Sequence, residues 1–497
     1  MRHFLILLLG WWLVVALAAC STPSQPDAPP ATPEVLNTPA AIQPTAPPAP
    51  SPTRPIALSY PTSVSYYVDS YVVRAGDTLG QIATRFNVDL QELMRLNGLK
   101  NSNSIRIGQT LKIPTQSLRE APATFLLPDS EVVYSPAYLS FDVTAFANQK
   151  GGYLVSYREK VEGDLLTGPQ IIQLIAERYS VGPRVLLALL EFQGGWVTNK
   201  SVTRTQQEYS MGLADPAKAT LFYQASWAAN QLNEGYYGKI TGRLPALQFK
   251  DRTRARLAAA VNPGTAAIQN VLALNATWDT WLDQIGPTGF IATYRRLFGD
   301  PTPIDPLVPP DLEQPHLRLP WKNGASWYFT GGPHSPWGDY GAWGAIDLTP
   351  RDTAGAGCVV SEDWAIAAAP GRVIRAEHGR VIVSLSNSNF QGSGWSLLYM
   401  HMASAGRVAE GTRVDAGDPI GHPSCEGGVA NASHLHFARL YNGQWIDPVM
   451  VPFILSGWQI IPSKQEYDGT MQRGSESHEA LNTRNDYKNL VVADEPQ

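Results

Sequence analysis

At 497 residues, with 44% hydrophobic and 16% charged, the chain is long enough for two to four domains with cores of their own. A net charge of −5 with no basic run excludes nucleic acid as an expected partner. Seven of the nine histidines lie between His316 and His436, so the side chains that titrate near neutral pH are concentrated in one late region.

In chain order, Met1-Arg2-His3 and the apolar run of residues 4–17 predict a signal peptide, with a positive start and a core too short to span a membrane. Leu17-Ala18-Ala19-Cys20-Ser21 resembles the lipobox of bacterial lipoproteins. That resemblance implies that residues 1–20 hold a lipoprotein signal peptide cut just before Cys20, and that a lipid on Cys20, the new amino terminus, anchors the protein to a membrane, outside the cytoplasm. Between residues 21 and 61 there are thirteen prolines and three charged residues, a composition that cannot bury enough apolar surface to fold. Residues 21–65 are expected to be an extended tether.

The runs Tyr71-Val72-Val73 and Thr110-Leu111-Lys112-Ile113 alternate, whereas residues 79–86 and 90–96 carry apolar positions three and four apart. The pattern predicts strand, helix, helix, strand. Gly76-Asp77-Thr78-Leu79, Leu93-Met94-Arg95-Leu96-Asn97 and Gly108-Gln109-Thr110-Leu111-Lys112-Ile113-Pro114 make residues 70–115 resemble a LysM module. The resemblance implies binding of peptidoglycan through its N-acetylglucosamine-containing glycan, near Gly76, Asp77, Thr78 and Asn97. Each of these residues also suits a cap or turn.

Residues 121–299 contain five segments of helical length and spacing, at 168–179, 183–192, 215–233, 263–274 and 288–298, and predict an α-helical domain. Within it, the stretch from Tyr179 to Trp196 resembles the opening of the soluble lytic transglycosylases, which are lysozyme-like. Gln193 stands where that family places its catalytic glutamate, and an amide cannot protonate a glycosidic oxygen. Glu191, two residues earlier, is about 200° away around a helix and does not substitute. No glycan cleavage is expected here, and Trp196, Tyr209, Tyr223, Trp227, Tyr236, Tyr237, Trp278 and Trp281 are read as core, a sugar-binding groove being the alternative.

Six prolines between Asp300 and Pro315 mark residues 300–316 as a linker. Residues 317–462 contain runs of strand length separated by Gly, Asn, Asp and Ser turns, which predicts a mostly antiparallel β domain. The fold class is therefore a multidomain α+β chain. The last segment, 463–497, has eleven charged residues in thirty-five and little periodicity, and is expected to be disordered.

The chemistry-bearing pattern of the β domain is Gly331-Gly332-Pro333-His334, Gly344-Ala345-Ile346-Asp347, Tyr399-Met400-His401 and His434-Leu435-His436-Phe437. If residues 434–441 form a strand, His434 and His436 project from the same face. Trp395, Leu397, Tyr399 and His401 likewise alternate onto one face of a second strand. A hydrolytic zinc centre needs three protein ligands and an open position, and two histidines with one carboxylate meet that need.

On these motifs residues 317–462 resemble the lysostaphin-type zinc endopeptidases of peptidoglycan. The resemblance implies a Zn2+ cofactor, Asp347 and His436 as ligands, and His434 and His401 as the catalytic pair. It also implies a first histidine ligand four residues before Asp347, where this chain has Trp343. His334 is the expected replacement, with the following residues inserted as a loop between the two ligands. The alternative is a lost ligand and a domain that only binds. His316, His378 and His422 are expected to be surface or structural residues.

Cys358 and Cys425 are expected to be bridged in an exported protein, thiolate ligation of a metal being the alternative. The expected function is a wall-bound zinc metalloendopeptidase of peptidoglycan, the competing expectation being an inactive peptidoglycan-binding scaffold or hydrolase activator.

Overall fold

The structure is a computed structural model that describes residues 69–494, apart from 75, 87, 89, 114–118 and 305. The expected signal peptide, Cys20 and the tether lie outside the described residues. Among the described residues, no helix is long and apolar enough to cross a membrane.

The first elements follow the alternation read from the sequence. Strands Asp69–Val72 and Thr110–Ile113 pair antiparallel around helices Leu79–Arg85 and Leu90–Leu96. Thr78 starts the first helix through a reciprocal capping box with Gln81, which satisfies two otherwise unpaired amide groups. Leu79, Ile82, Leu93, Leu111 and Ile113 close a small core of their own.

In the helical domain the predicted segments become helices Gly168–Tyr179, Pro183–Gly194, Leu221–Thr241, Pro263–Ala273 and Phe290–Phe298. Thr167 caps the first of these with Gln170, and proline begins the second and the fourth, where its missing N–H costs nothing. The expected start at residue 215 is a single 3-10 turn, Pro216–Lys218, ahead of the long helix. The domain also holds short strands that carry no legible alternation, a hairpin of Arg158–Val161 with Asp164–Thr167 and a three-stranded patch. Trp196, Tyr236, Tyr237 and Trp281 are buried as expected of core, while Tyr209, Trp227 and Trp278 are half-buried and Tyr223 is exposed.

A nine-stranded antiparallel sheet organises the rest of the chain. Its order is Arg413–Val414, Gly371–Glu377, Arg380–Ser384, Trp395–Met400, Leu435–Tyr441, Ala345–Pro350, Ser326–His334 and Leu490–Val492, with Gln444–Trp445 pairing beside Leu435–Tyr441. Strand alternation divides its side chains between two cores. Ile346, Val381, Leu397, Tyr399 and Phe437 face one, together with Trp327, Phe453 and Met471. Ala345, Ile382, Leu398, Met400 and Ala438 face the other, which is continuous with the core of the helical domain.

The helices thus cover one face of the sheet. Polar contacts pin them there: Ser180 Oγ donates to Gly443 O at 2.6 Å, Tyr237 Oη accepts from Trp445 N at 2.9 Å, and Glu177 accepts from Arg375 Nη2 at 2.8 Å.

One expectation is corrected. Residues 463–494 are ordered: Gly469–Arg473 and Glu476–Glu479 form a hairpin in a four-stranded sheet, and Leu490–Val492 pairs with Ser326–His334. Their charge is on the surface, but Met471, Asn489 and Val491 are fully buried and carry the segment into the core. The expected linker is irregular yet docked, with Leu307 buried, its carbonyl accepting from Asn442 Nδ2, and Gln314 Nε2 donating to Ile454 O at 2.7 Å.

Glu177 makes the domain contact pH-dependent. Burial alone would raise its pKa, but the hydrogen bonds from Arg375 and the charges of Arg375 and Arg380 hold it below the ordinary glutamate value of 4.5. A depressed pKa contributes stability that is complete above the unfolded value and is lost as pH falls through the folded one. Glu177→Gln should therefore cost about 1.5–3 kcal/mol at pH 7. It should also flatten the fall in melting temperature below pH 4.5. Thermal melts of both proteins from pH 7 to 3 read this, and parallel curves would refute it.

Candidate active site

Four imidazoles and one carboxylate meet on the helix-covered face, where Ser326–His334, Ala345–Pro350 and Leu435–Tyr441 run side by side. Register sets Asp347 opposite His436 on one side and Gly331 on the other. Glycine is needed at 331, because a Cβ there would lie 2.5 Å from Asp347 Oδ2. From Gly331 to His334 one strand takes three steps against two from Asp347 to Ala345. This bulge re-aims the histidine toward the carboxylate.

His334 Nε2 lies 3.0 Å from His436 Nδ1, and Asp347 Oδ1 lies 3.3 Å from the first and 3.2 Å from the second. Ligand atoms of a tetrahedral zinc with bonds of 2.0–2.1 Å stand ~3.4 Å apart, so the triangle has the right size. The outward nitrogens are held by backbone: His334 Nδ1 donates to Gly332 O at 2.7 Å and His436 Nε2 donates to Pro336 O at 3.0 Å. In the neutral ring these bonds select the tautomer that turns a lone pair toward Asp347, the form in which imidazole binds metal. The donor set fits zinc, and among the described residues these three form the cluster able to hold a metal ion.

Charge balance agrees with the geometry. Burial pushes His334 down, but the Asp347 carboxylate more than offsets this and raises it. Burial would raise Asp347, yet the neighbouring imidazoles hold it well below the carboxylate range. His436 is lowered, mainly by burial. A buried anion facing imidazole nitrogens attracts a proton or a metal cation, and a cation that binds there competes with the proton.

The other two histidines flank this triangle. His434 Nδ1 donates to Ala432 O at 2.8 Å, and its Nε2 stands 3.5 Å from Asp347 Oδ1. His434 precedes the strand Leu435–Tyr441 by one residue and, like His436, reaches the same carboxylate. His401 Nδ1 donates to Glu426 O at 3.2 Å, and its ring centroid lies 4.5 Å from that of His434.

His401 departs from the expected alternation. Continuing it, His401 would follow Leu397 and Tyr399 into the opposite core. Instead the strand ends at Met400, and His401 takes a φ of +66°, which turns its ring to the site. Such a conformation costs on the order of 1–3 kcal/mol for a residue other than glycine. It is held by Ser424, whose N and Oγ both donate to His401 O.

Cys358 and Cys425 form a disulfide, which removes the thiolate-ligand alternative. His422 donates through Nδ1 to Asp363 O and His378 faces Glu162 and Asp164, both outside the cluster. In the first domain Gly76 has a φ of +87°, Thr78 is the helix cap, Asp77 accepts from Tyr71 Oη at 2.6 Å, and Asn97 bridges to both backbone groups of Lys112. All four therefore have local structural work beside any contact with glycan. In the helical domain Glu191 accepts from Val197 N, Thr198 and Arg296, so it holds the chain after its helix.

The sequence reading missed Tyr467 and Glu466. The Tyr467 ring stacks on His334 with centroids 4.1 Å apart, and Glu466 accepts from Ser335 N at 2.8 Å. The legible signal was the hairpin after them, with Gly474-Ser475 between two strand-length runs.

With the geometry in hand, comparison with known proteins assigns the modules. Residues 71–114 match the model of the LysM domain, residues 125–310 that of the LasA N-terminal domain, and residues 354–448 that of peptidase family M23. The chain carries a LysM domain and an M23 peptidase domain. Protease LasA of Pseudomonas aeruginosa is 28% identical over 301 residues, 54% of this chain and 65% of that protein. The chain thus spans just under two thirds of the length of this relative.

The N-acetylmuramoyl-L-alanine amidase XlyA of Bacillus subtilis is 38% identical over 71 residues, 14% of this chain and 24% of that protein. Among solved structures, the deep-sea M23 metalloprotease pseudoalterin is 25% identical, covering 34% of this chain and 96% of its own, with a TM-score of 0.28. The catalytic domain of lysostaphin from Staphylococcus simulans is 22% identical, covering 26% and 89%, with a TM-score of 0.18. The matched M23 segment contains His401, His434 and His436, while His334 and Asp347 precede it, so their membership in the site rests on geometry.

Gly331→Ala tests that geometry. Its new methyl would displace the Asp347 carboxylate and weaken zinc binding on the order of 10–100-fold. Competition with a chromophoric chelator measures this, and unchanged affinity would contradict the register described.

Proposed function

We propose that this protein is a zinc metalloendopeptidase that hydrolyses peptide bonds in the stem or cross-link of peptidoglycan. Its LysM domain holds the wall through glycan contacts near Gly76, Asp77, Thr78 and Asn97, and a lipid on Cys20 anchors it to a membrane outside the cytoplasm. The observation that carries the reading is the closed triangle of His334 Nε2, Asp347 Oδ1 and His436 Nδ1, with each imidazole backed by a backbone carbonyl. Similarity to protease LasA supports a proteolytic role, and the LysM domain supports the wall as the place of action.

His334, Asp347 and His436 would hold the metal. When bound there, zinc would polarise the scissile carbonyl and lower the pKa of a water to about 7. The remaining chemistry belongs to the flanking histidines. Burial, and then the charges of His434 and His436, press His401 down to about 3, so it stays neutral at working pH. With Nδ1 engaged by backbone carbonyls, both His401 and His434 turn Nε2 to the site. Each can accept a proton from the attacking water. Once protonated, each can donate to the developing oxyanion or to the leaving amine.

Mass spectrometry of purified peptidoglycan digested by residues 21–497, with and without a zinc chelator, tests the proposal. New peptide amino termini that vanish with chelator are expected. Wall-bound protein that yields no new ends would leave a binding scaffold. His401→Ala and His434→Ala should lower kcat on the order of 10²–10⁴-fold while zinc content stays at the wild-type value.

A further inference from the structure

The loop of residues 335–343 between the first two metal-ligand candidates supplies the Pro336 carbonyl that accepts from His436 Nε2. The backbone of this loop also carries one strained residue. Gly338 and Tyr340 both have left-handed backbones, at φ +67° and +63°, and the second is not glycine. Glycine takes this conformation freely, but at Tyr340 it is unfavourable unless the surroundings impose it.

Its base is tied within the peptidase domain: Ser335 N donates to Glu466, and Ser335 Oγ accepts from Gly341 N at 3.1 Å. Its outer part is held by the helical domain. Asp339 N donates to Asn230 Oδ1 at 2.9 Å, and Arg243 Nη2 donates to Gly341 O at 3.3 Å. The same guanidinium lies 4.2 Å from the centre of the Trp343 ring, in cation–π contact. At Gly338 the fit is close enough that a Cβ would come within 2.7 Å of both Asn230 Oδ1 and Tyr179 Cε1.

We propose that the helical domain completes the metal centre: through Asn230 and Arg243 it holds the loop of residues 335–343, whose Pro336 carbonyl orients the His436 ligand. Asn230 and Arg243 are positioning residues. The contacts given above are all with the loop, and through it they act on one backbone carbonyl. The proposal rests on the zinc reading above. It gives the helical domain a task that needs no glycosidase chemistry, consistent with Gln193 in place of an acid and with Glu191 engaged by the backbone that follows it.

The test uses the full chain and reads zinc affinity directly, by competition with a chromophoric chelator, beside the visible absorption of the cobalt-substituted protein. The double variant Asn230→Ala/Arg243→Ala should bind zinc on the order of 10–100-fold more weakly, the usual range for loss of an outer contact to a ligand. Its cobalt bands should shift, while the melting temperature of the metal-free protein stays within a few degrees of wild type. Gly338→Ala, which wedges the contact from the loop side, should weaken zinc in the same direction.

Glu177→Gln serves as the control, because it loosens the domain contact at Arg375 and Arg380, which lie outside the loop of residues 335–343, three and two strands from that of His436. It should leave zinc affinity unchanged. Wild-type affinity in both loop-grip variants, or equal weakening in Glu177→Gln, overturns the proposal. His334→Ala separates the two readings. If it loses zinc while the loop-grip variants keep it, only this inference fails. If wild type and His334→Ala bind zinc alike, or neither binds it, the metal reading fails and takes this inference with it.

Discussion

The site depends on one buried carboxylate. Asp347 lies inside a sheet where an unpaired anion is strongly disfavoured, and three imidazoles approach the same oxygen within 3.5 Å. The surrounding features can be understood as means of making that convergence possible. Gly331 removes the methyl that would collide with the carboxylate, the bulge before His334 turns that ring inward, and the left-handed backbone at His401 brings a fourth ring across. Backbone carbonyls on the far nitrogens then decide which face of each imidazole carries its lone pair. A metal cation at this point would balance the carboxylate without requiring any imidazole to be protonated.

The sheet also explains why the helical domain belongs to the same body as the site. Asp347 and His436 share the face that carries Ala345, Ala438 and Met400, and those residues are buried in one core with the helices. The opposite face is closed by the terminal strands. Both faces are thus covered, and the site lies where the covered face meets the loop of residues 335–343. Helical and peptidase domains consequently meet through a continuous apolar core and buried ion pairs, an interface unlike that of two modules joined by a flexible linker.

Much of this was legible in the sequence, for identifiable reasons. Residues 71–113 and the five long helices could be read because their periodicity and caps agree, as at Thr78 and Thr167. The site histidines could be read because His434 and His436 are two residues apart beside a strand-forming run. His334 could be nominated only by elimination, since nothing local in Gly-Gly-Pro-His reveals a bulge.

The ordered tail was not legible from charge and periodicity alone. Its strands are short and half exposed, and only Met471, Asn489 and Val491 enter the core. The turn of His401 was likewise hidden, because alternation through Trp395, Leu397 and Tyr399 points it to the wrong face and only a backbone dihedral corrects it. Contacts between distant segments, such as Asn230 with Asp339, leave no trace in local pattern.

The central claim is that His334, Asp347 and His436 form one metal site across the inserted loop. Anomalous diffraction at the zinc absorption edge, from crystals of the zinc-loaded chain, tests it most directly. The account predicts a single strong peak about 2.0–2.2 Å from His334 Nε2, Asp347 Oδ1 and His436 Nδ1. A peak that leaves His334 unbound, or one held by a different set of side chains, would contradict it.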